Sequence, residues 1–391
     1  MEPSSDIVDL VRGKYLSTYG GNDRMVIVRS PGRINLIGEH TDYNEGFVLP
    51  SAIDRAIYLA VGPRRGSDVS LTSLDLNDQI QFNVREAAKS KKAWANYLIG
   101  VVHQLNEAGY RIGGFNCVFS GDIPIGAGMS SSAGVEAGLA FALNSIFDLG
   151  IGRRDLAKIA QRSENEFVGV RCGIMDQFAN LLSKGESALH LDCRSLQFEH
   201  IPFTRKDLEF VLCDTGVKHS LASSEYNLRR EQCETGAGII RKYFTGVRSL
   251  RDVEPEMLRE HKGELGDMIY GRCEYVVEEN ARVNLAGKYL RQNDYDKFGE
   301  LLYASHEGLR DRYQVSCREL DILVDAATKI DGVLGARMMG GGFGGCTLNL
   351  VERDSAEEFK SKIRKSYERD TGKIPQLYEC SLMPGTDLVP D

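Results

Sequence analysis

The densest group of ionisable side chains in the sequence lies shortly after the hydrophobic run 25–29. Five such residues fall within eleven positions: Arg33, Glu39, His40, Asp42 and Tyr43. Alternating hydrogen-bond donors and acceptors suit a polyhydroxylated ligand, because every sugar hydroxyl can both donate and accept a hydrogen bond. Two other interpretations remain open, namely a solvated surface loop and a metal site formed by His40 and Asp42.

A second segment suited to chemistry runs from Pro124 to Gly134 and reads PIGAGMSSSAG. It lies between a predicted strand and a predicted amphipathic helix, where unpaired backbone N–H groups and the helix dipole favour a phosphate. Gly126 and Gly128 allow the backbone to approach closely, and the serines at 130–132 add hydroxyl groups for phosphate or magnesium. The alternative is a glycine turn whose serines cap the helix. The segment is not the common P-loop, because no lysine follows the glycines.

A third segment, Gly340 to Gly345, formally contains the pattern G-x-G-x-x-G. A dinucleotide-binding fingerprint opens a helix, whereas residues 346–351 alternate in the manner of a strand. We therefore expect a glycine hairpin that packs closely against another loop or a ligand. On the residues alone, a structural role and a ligand-shaping role are equally favoured.

These segments need a scaffold of both strands and helices. Runs of β-branched or alternating residues predict strands at 25–29, 57–61, 80–84, 115–119, 209–213, 333–338 and 346–351. Apolar residues at helical spacing predict helices at 95–108, 132–147, 223–243, 269–291, 317–329 and 355–370. Ser316 with Glu319, and Ser355 with Glu358, predict capping boxes at the last two of these helices. Because the spacing is uneven rather than a regular βαβ array, the predicted fold class is α+β.

The length of the chain indicates more than one domain. The chain has 391 residues, and a domain takes roughly 150 residues. We place the domain boundary in the polar segment 183–187. This predicts an N-terminal domain at 1–185 and a C-terminal domain at 186–391.

Composition excludes several classes of protein. Hydrophobic residues make up 42% and charged residues 27% of the chain, and no apolar run approaches the roughly 18 residues of a membrane span. With 48 Lys and Arg against 56 Asp and Glu, the net charge is −8, which argues against nucleic acid as a partner. The nine cysteines never form C-x-x-C, so neither disulfides nor a zinc knuckle are expected. Since the N-terminus has no basic-then-apolar signal pattern, the expected location is cytoplasmic.

The three segments resemble, in the same order, the three motifs of the GHMP small-molecule kinases. They read GRINLIGEHTDY at 32–43, PIGAGMSSSAG at 124–134 and GARMMGGGFGGC at 335–346. The first of them is similar to the galactokinase signature within that superfamily. The similarity continues through 94–97, 172–177 and 217–226, and it therefore spans most of the chain.

The resemblance implies two α+β domains with the active site in the cleft between them, and a left-handed β-α-β crossover in the N-terminal domain. That handedness cannot be predicted from sequence pattern, because such connections are right-handed by default. The implied reaction is transfer of the ATP γ-phosphoryl group to the C1 hydroxyl of galactose. The implied partners are a small sugar and ATP with Mg²⁺, without nucleic acid or membrane, and a monomer is favoured.

The resemblance also implies roles for residues at matching positions. Asp176 matches the catalytic aspartate of the family, and Arg33 matches its partner arginine. The positions that match sugar contacts are Glu39, His40, Asp42, Gly173 and Tyr226. The positions that match nucleotide contacts are Trp94, which would stack on adenine, and Pro124, Gly126, Gly128, Ser130, Ser131, Ser132 and Ala133. Ser132 and Glu164 match the magnesium positions.

Three positions depart from the family pattern. Gly134 stands where a residue such as serine or alanine is expected, Ala127 stands where many relatives have a third glycine, and Met129 replaces a leucine. The first two changes remove no donor that a phosphate needs, and the third conserves volume. Two alternatives stay open: a kinase of N-acetylgalactosamine, galacturonate or arabinose, and a non-catalytic sensor of sugar and ATP.

Overall fold

The computed structural model describes residues 5–21, 24–124, 126–217 and 222–390, without the side chains of Ser5, Ala222 and Ser223. Ile125 of the glycine–serine segment and residues 218–221 of the segment 217–226 lie outside the described residues. Strands and helices alternate irregularly along the chain, which confirms the predicted α+β class.

The strands, in chain order, are β1 Val26–Asn35, β2 Phe47–Val48, β3 Pro50–Pro63, β4 Asp68–Ser73, β5 Asp78–Asn83, β6 Phe115–Gly121, β7 Ser187–Asp192, β8 Phe198–Pro202, β9 Leu208–Asp214, β10 Val333–Met338, β11 Cys346–Glu352, β12 Gln376–Cys380, β13 Leu382–Met383 and β14 Asp387–Leu388. The α-helices are α1 Ser5–Tyr19, α2 Ala93–Glu107, α3 Ser131–Ile146, α4 Arg153–Arg162, α5 Met175–Leu182, α6 Ala222–Arg241, α7 Pro255–Glu260, α8 Lys262–Arg291, α9 Tyr295–Glu307, α10 Arg318–Ala327 and α11 Ala356–Thr371. A π-helical segment, Ser163–Val168, continues from α4.

The largest sheet has the strand order β14-β1-β3-β6-β4-β5, and β13 also pairs with β3. Its pairs are antiparallel except for β4 with β6, which lie parallel and are connected through β5 and α2. Side chains alternate across β3. Ile57 and Leu59 pack in the main core together with α3, whereas Tyr58 and Ala60 pack against α1. Helices therefore cover both faces of this sheet.

An irregularity near the end of β1 changes the direction of its side chains. Pro31 pairs with Ala56 and Arg33 pairs with Ala52, so two steps along β1 oppose four along β3. In a regular strand, residues three positions apart face opposite sides. Here Ser30 and Arg33 both contact α5. At the irregular pairing Arg33 thus comes to lie on the same side of the sheet as Ser30 and α5, and such irregularities commonly redirect side chains near functional sites.

The second half of the chain forms a separate antiparallel sheet with the order β10-β11-β9-β12, on which α10 and α11 pack. Its β10–β11 hairpin contains the turn at 339–345, which confirms the predicted glycine hairpin. A third sheet, β2-β7-β8, joins the two halves. The last strands, β13 and β14, return to the first sheet and pair with β3 and β1. The division at residue 185 stays a prediction.

Both predicted capping boxes are wrong. Cys317 is the cap of α10, and the Ser316 hydroxyl donates instead to the carboxylate of Asp321, at 2.5 Å. Ser355 precedes α11 but makes no capping hydrogen bond with its side chain. A serine competes among several local acceptors, so the four-residue pattern alone does not fix its partner.

Two chain-wide features complete the fold. All nine cysteines are free thiols, as their spacing predicts. In the part of the chain that the structure describes, no helix combines the length and the apolar character that crossing a membrane requires.

Candidate active site

The centre of the site is a bidentate ion pair between Arg33 and Asp176. Arg33 follows the irregularity of β1, and Asp176 lies in the first turn of α5. Arg33 Nε lies 2.9 Å from Asp176 Oδ1, and Nη2 lies 3.1 Å from Oδ2. Burial alone would lower the pKa of Arg33, but the charges of Asp176 and Glu39 outweigh it and raise that pKa. The arginine therefore stays charged beside the carboxylate.

The glycine–serine segment wraps around this pair. Arg33 donates from its backbone N–H to the carbonyl oxygen of Met129, at 3.2 Å, and from its guanidinium to that of Gly128. A Cβ atom at Gly32 would lie 2.8 Å from the same Met129 oxygen, so glycine is required at this close approach. Ser130, in a left-handed conformation with φ 57°, makes no capping bond to α3 and donates instead to Asp176. The interpretation of Ser130 as a simple helix cap is therefore wrong.

A cavity of about 230 Å³ opens beside this segment. It is lined by Arg33, Pro124, Gly126, Gly128, Met129, Ser130, Ser131, Ser132, Gly340 and Gly341. The start of α3 faces it, so unpaired backbone N–H groups, serine hydroxyls and one guanidinium converge on the same space. That combination suits a phosphate group.

A second cavity, of about 50 Å³, lies on the other side of Arg33. Its walls contain both predicted catalytic residues and all five predicted sugar contacts: Arg33, Glu39, His40, Asp42, Gly173, Asp176 and Tyr226, together with Cys172, Met175, Gly340 and Gly341. Glu39 and His40 are only 1% and 4% exposed, so the alternative of a solvated surface loop is wrong for them. Gly340 and Gly341 line both cavities, so the turn of the glycine hairpin forms part of both walls.

Glu39 is held in the wall of the second cavity by strong donors. Arg337 donates to Glu39 Oε1 at 2.6 Å, and the backbone N–H of Gly340 donates to the same oxygen at 2.7 Å. The amide of Asn35 donates to Oε2 at 2.5 Å. Arg337 comes from β10 and Glu39 from the loop after β1, so the ion pair connects the two halves of the chain.

His40 is a neutral imidazole in an aromatic surrounding. Its Nδ1 shares a hydrogen bond of 2.7 Å with the hydroxyl of Tyr43, which shares another of 2.7 Å with the hydroxyl of Tyr313. Burial, and then the charge of Arg229, lowers the pKa of His40 to about 3. Its Nε2 faces the backbone of Gly341 and makes no hydrogen bond of ordinary geometry within the described residues.

Asp42 and Gly173 meet so closely that the glycine cannot carry a side chain. A Cβ atom at Gly173 would lie 2.0 Å from Asp42 Oδ2. The backbone N–H of Tyr43 donates to Oδ1 of Asp42 at 2.9 Å and fixes the carboxyl group. Burial, and then the charge of Asp176, raises the pKa of Asp42 to about 6.

Ser132, in the first turn of α3, contacts Glu164 of the π-helical segment. Ser132 Oγ donates to Glu164 Oε1 at 3.1 Å, and Gln177 donates to Oε2 at 3.0 Å. Burial, and then the charge of Asp176, raises the pKa of Glu164 to about 7. Among the described residues, no three His, Cys, Asp or Glu side chains are arranged to hold a metal ion, so a metal site at His40 and Asp42 gains no support.

Trp94 borders a third cavity, of about 280 Å³, whose walls are mainly apolar. They include Ile57, Leu76, Trp94, Tyr97, Phe119, Ile123 and Val135, with Ser131 and Ser132 at the end shared with the phosphate-type cavity. Trp94 Nε1 donates to Asp78 at 2.9 Å, which fixes the orientation of the ring. Ala133, in contrast, is buried in the first turn of α3 and lines none of the three cavities.

The family profiles of known proteins match three parts of the chain in order. The galactokinase galactose-binding signature matches residues 13–63, the GHMP kinase N-terminal domain matches 96–184, and the GHMP kinase C-terminal domain matches 287–369. The cavity with the sugar-type residues is lined by Arg33, Asp176 and Gly340, which lie in the first, second and third matched segments respectively.

Full-length relatives decide the family. A galactokinase of Roseiflexus sp. (strain RS-1) is 41% identical over 381 residues, which cover 97% of each chain. The chain belongs to the galactokinase family. A galactokinase of Thermosipho africanus (strain TCF52B) is also 41% identical, over 93% of this chain and 99% of its own. The chain is therefore an enzyme, a galactokinase of the GHMP type that uses ATP.

Solved structures agree with the galactokinase assignment. The structure of Lactococcus lactis galactokinase complexed with galactose superposes with a TM-score of 0.93 at 35% identity, covering 98% of this chain and 99% of its own. Methanococcus jannaschii mevalonate kinase has a TM-score of 0.67 at 19% identity, which shows a shared fold alone. The expected two-domain GHMP-kinase architecture with its site in the interdomain cleft is thus confirmed.

Sequence reasoning missed three side chains that support this galactokinase site. Arg337 holds Glu39, Tyr313 holds Tyr43, and Glu136 is fully buried near Glu164. An available signal for Arg337 was a charged residue in the otherwise small or apolar strand 333–338. Tyr313 and Glu136 had no such signal, because Tyr313 lies outside every predicted element and Glu136 lies in a segment with an ordinary helical pattern.

Proposed function

We propose that this enzyme transfers the γ-phosphoryl group of ATP to the C1 hydroxyl of D-galactose and so produces galactose 1-phosphate. The observation that carries the proposal is the position of the Arg33–Asp176 pair, which lines the cavity with the sugar-type residues, while Arg33 also lines the phosphate-type cavity. A hydroxyl group in the first and a phosphoryl group in the second would meet at this pair. The galactose-bound relative from Lactococcus lactis supports the choice of sugar.

Asp176 would act as the catalytic base. Its carboxylate accepts hydrogen bonds from Arg33 and Ser130 and is still 28% exposed, so it can reach a hydroxyl group in the cavity. Arg33 would orient that carboxylate and stabilise charge on the transferring phosphoryl group. Positioning and electrostatics supply most of the catalysis in such transfers.

The sugar would be recognised by groups of opposite hydrogen-bonding character. Glu39 and Asp42 would accept hydrogen bonds from sugar hydroxyls, and His40, which lines the same cavity, would contact a further hydroxyl. The ring centroid of Tyr226 lies 5.5 Å from the ring centroid of His40, and Tyr226 would close the rim of the cavity.

ATP would occupy the two remaining cavities, with adenine beside Trp94 and the phosphates at the start of α3. The residues that would hold Mg²⁺ are Ser132 and Glu164, since hard oxygen ligands supplemented by phosphates and waters are what this ion prefers. Their contact at 3.1 Å and the raised pKa of Glu164 fit a cation that displaces the carboxyl proton. Magnesium, when bound, would neutralise charge on the phosphates.

The test is a comparison of Asp176→Asn with Asp207→Asn, in which the control removes an exposed carboxylate paired with Arg205. We expect Asp176→Asn to lower kcat by about 10²- to 10⁴-fold while galactose and nucleotide binding, measured by calorimetry, persist. The control should retain the rate of the parent enzyme. Near-parental turnover in Asp176→Asn would refute the role of the base.

A sugar panel tests the substrate. Galactose, N-acetylgalactosamine, galacturonate and arabinose are compared by kcat/KM, and the product is identified by phosphorus and carbon nuclear magnetic resonance. We expect galactose to give the highest kcat/KM and a phosphate on C1. A higher value for one of the other sugars would replace galactose in the proposal.

We also propose that the enzyme is a cytoplasmic monomer. Nine free thiols suit a reducing compartment. Light scattering of the purified protein measures the oligomeric state, and a mass of twice that of the chain would contradict the proposal.

A further inference from the structure

A buried hydrogen-bond network lies beneath the Arg33–Asp176 pair and includes the C-terminal segment of the chain. Its side chains are Ser30 on β1, Asn180 on α5, and Thr386 between β13 and β14. Ser30 and Thr386 are fully buried, and Asn180 is 1% exposed. The chemistry proposed above uses none of these three side chains.

Amide N–H groups donate and carbonyl oxygens accept, whereas the Ser30 hydroxyl also lies 3.1 Å from that of Thr386, where either could donate, and 3.3 Å from Asn180 Oδ1. The side-chain amide of Asn180 donates to Ser30 Oγ at 3.1 Å and to the carbonyl oxygen of Pro31 at 2.5 Å. The Ser30 hydroxyl donates to the carbonyl oxygen of Gly134 at 2.7 Å. The Thr386 hydroxyl donates to Asn180 Oδ1 at 2.5 Å. Thr386 thus supplies the donor that Asn180 Oδ1 needs, and the Ser30 hydrogen remains free for Gly134.

The network joins the elements that carry the active-site residues. Asn180 lies one helical turn after Asp176 on α5. Ser30 lies three residues before Arg33 on β1, and both side chains contact α5. Gly134 belongs to the first turn of α3, which begins with the serines of the phosphate-type cavity.

The backbone of the C-terminal segment sits directly on the last turn of α5. The N–H of Thr386 donates to the carbonyl oxygen of Asn180 at 2.7 Å, and the N–H of Gly385 donates to that of Ser183 at 2.9 Å. A Cβ atom at Gly385 would lie 2.7 Å from the Asn180 oxygen. Asp387 and Leu388, which follow Thr386, pair with β1 as strand β14, so the C-terminal segment contacts both α5 and β1.

We propose that Thr386 is a positioning residue that, through Asn180 and Ser30, fixes α5 against β1 and thereby keeps Asp176 on Arg33. Without its hydroxyl, the buried Asn180 Oδ1 loses its short hydrogen bond, and the Ser30 hydroxyl must choose between Asn180 and Gly134. If the Ser30 hydroxyl donates to Gly134, Asn180 Oδ1 has lost a donor, and if it donates to Asn180, the Gly134 carbonyl oxygen has lost one. The loss of a hydrogen bond to a buried acceptor favours a shift of α5 or α3. Small displacements of reacting groups reduce rates strongly.

The test is the variant Thr386→Val, which keeps the branched shape and removes the hydroxyl. We expect kcat to fall about tenfold, while KM for galactose and for ATP stays within about twofold. Thr386→Ser restores the hydroxyl and should restore most of the rate. The matched control is Val389→Ala in the same segment, where Val389 packs with the cluster around α1 on the other side of the sheet. It should lower the melting temperature and leave kcat unchanged.

Several outcomes would overturn the proposal. They are a parental kcat in Thr386→Val, an equal loss of kcat in Val389→Ala at an equal loss of melting temperature, or no rescue by serine. If Thr386→Val does not fold, Ser30→Ala removes the other end of the network and must show the same fall in kcat at unchanged KM.

The proposal rests on the catalytic role of Asp176, and the two failures are distinguishable. An active Asp176→Asn refutes the proposed base, and a parental Thr386→Val beside an inactive Asp176→Asn refutes only the positioning role.

Discussion

We predict that replacing Arg337 with methionine destabilises the enzyme and loosens the sugar cavity. Arg337 has no exposed surface, and its guanidinium donates to Glu39 at 2.6 Å and to the carbonyl oxygens of Leu36 and Asn35 at 3.0 and 3.1 Å. Methionine is also long and unbranched, so Arg337→Met removes the charge and the donors with little change of volume. Glu39 then keeps only the neutral donors of Gly340 and Asn35.

The expected loss of folding stability follows from the groups that remain without Arg337. Removing one partner of a buried ion pair costs about 3–5 kcal/mol, because the remaining charge is uncompensated. The carbonyl oxygens of Leu36 and Asn35 also lose a donor, at about 1 kcal/mol each, and these terms do not simply add. We therefore expect the free energy of unfolding to fall by about 4 kcal/mol. Galactose affinity should fall as well, because Glu39 lines the sugar cavity.

A double-mutant cycle isolates the interaction. Glu39→Gln removes the negative charge and keeps the shape of the side chain. If Arg337 chiefly compensates Glu39, the double variant Arg337→Met/Glu39→Gln should be more stable than the sum of the single effects predicts. The expected coupling energy is at least about 2 kcal/mol.

The assay is urea unfolding followed by circular dichroism, with galactose binding by calorimetry. The control is Arg369→Met, because the side chain of Arg369 is 71% exposed and pairs with Asp370 at the surface. Its urea midpoint should equal that of the parent enzyme. Single effects of Arg337→Met and Glu39→Gln that add to within about 0.5 kcal/mol would show that the two charges are independent, and the reasoning would be refuted.

Three further predictions address the other parts of the cleft. Burial and a neighbouring carboxylate raise the pKa of Glu136, so the folded enzyme keeps a proton that the unfolded chain releases above its ordinary pKa, and stability falls as pH rises. Glu136→Gln should therefore gain stability over the parent between pH 5 and pH 8, by up to about 1.4 kcal/mol per pH unit in urea unfolding. Gly173→Ala would place Cβ 2.0 Å from Asp42 and should raise KM for galactose at least about tenfold at unchanged KM for ATP, whereas Gly238→Ala, with open space around it, should behave as the parent. Trp94→Ala should raise KM for ATP and leave galactose binding by calorimetry unchanged.

Local periodicity allowed the regular parts of the fold to be predicted. The predicted helix 132–147 is α3, Ser131–Ile146, because its apolar residues recur on one face over four turns. The predicted helix 269–291 agrees with the part of α8 that follows Gly266, whose φ of 68° is non-helical and separates it from the short helical stretch that begins at Lys262. The helix α5, which carries Asp176, was not predicted, since eight residues give only two turns of periodicity. The two-residue strands β13 and β14 carry still less local signal.

The site residues were predicted by motif, whereas their supports depend on contacts far apart in sequence. Glu39 and Arg337 are separated by 298 positions, and Asn180 and Thr386 by 206. A pattern within one segment cannot report a partner at such a distance. Arg33 shows the same limit, because regular alternation along β1 would place it on the opposite side from Ser30, and only the irregular pairing with β3 reverses this.

The charge balance of the cleft explains how an acidic chain can bind a phosphate. Burial and the charge of Asp176 raise the pKa of Asp42 to about 6 and that of Glu164 to about 7, so near neutral pH both carry less negative charge than exposed carboxylates. The cavity beside α3 is lined by Arg33, serines and glycines rather than by acids. Charges farther than about 8 Å are largely screened at physiological ionic strength. The net charge of −8 therefore describes the chain as a whole. The electrostatic environment of the phosphates depends instead on the few charged groups within about 8 Å of them.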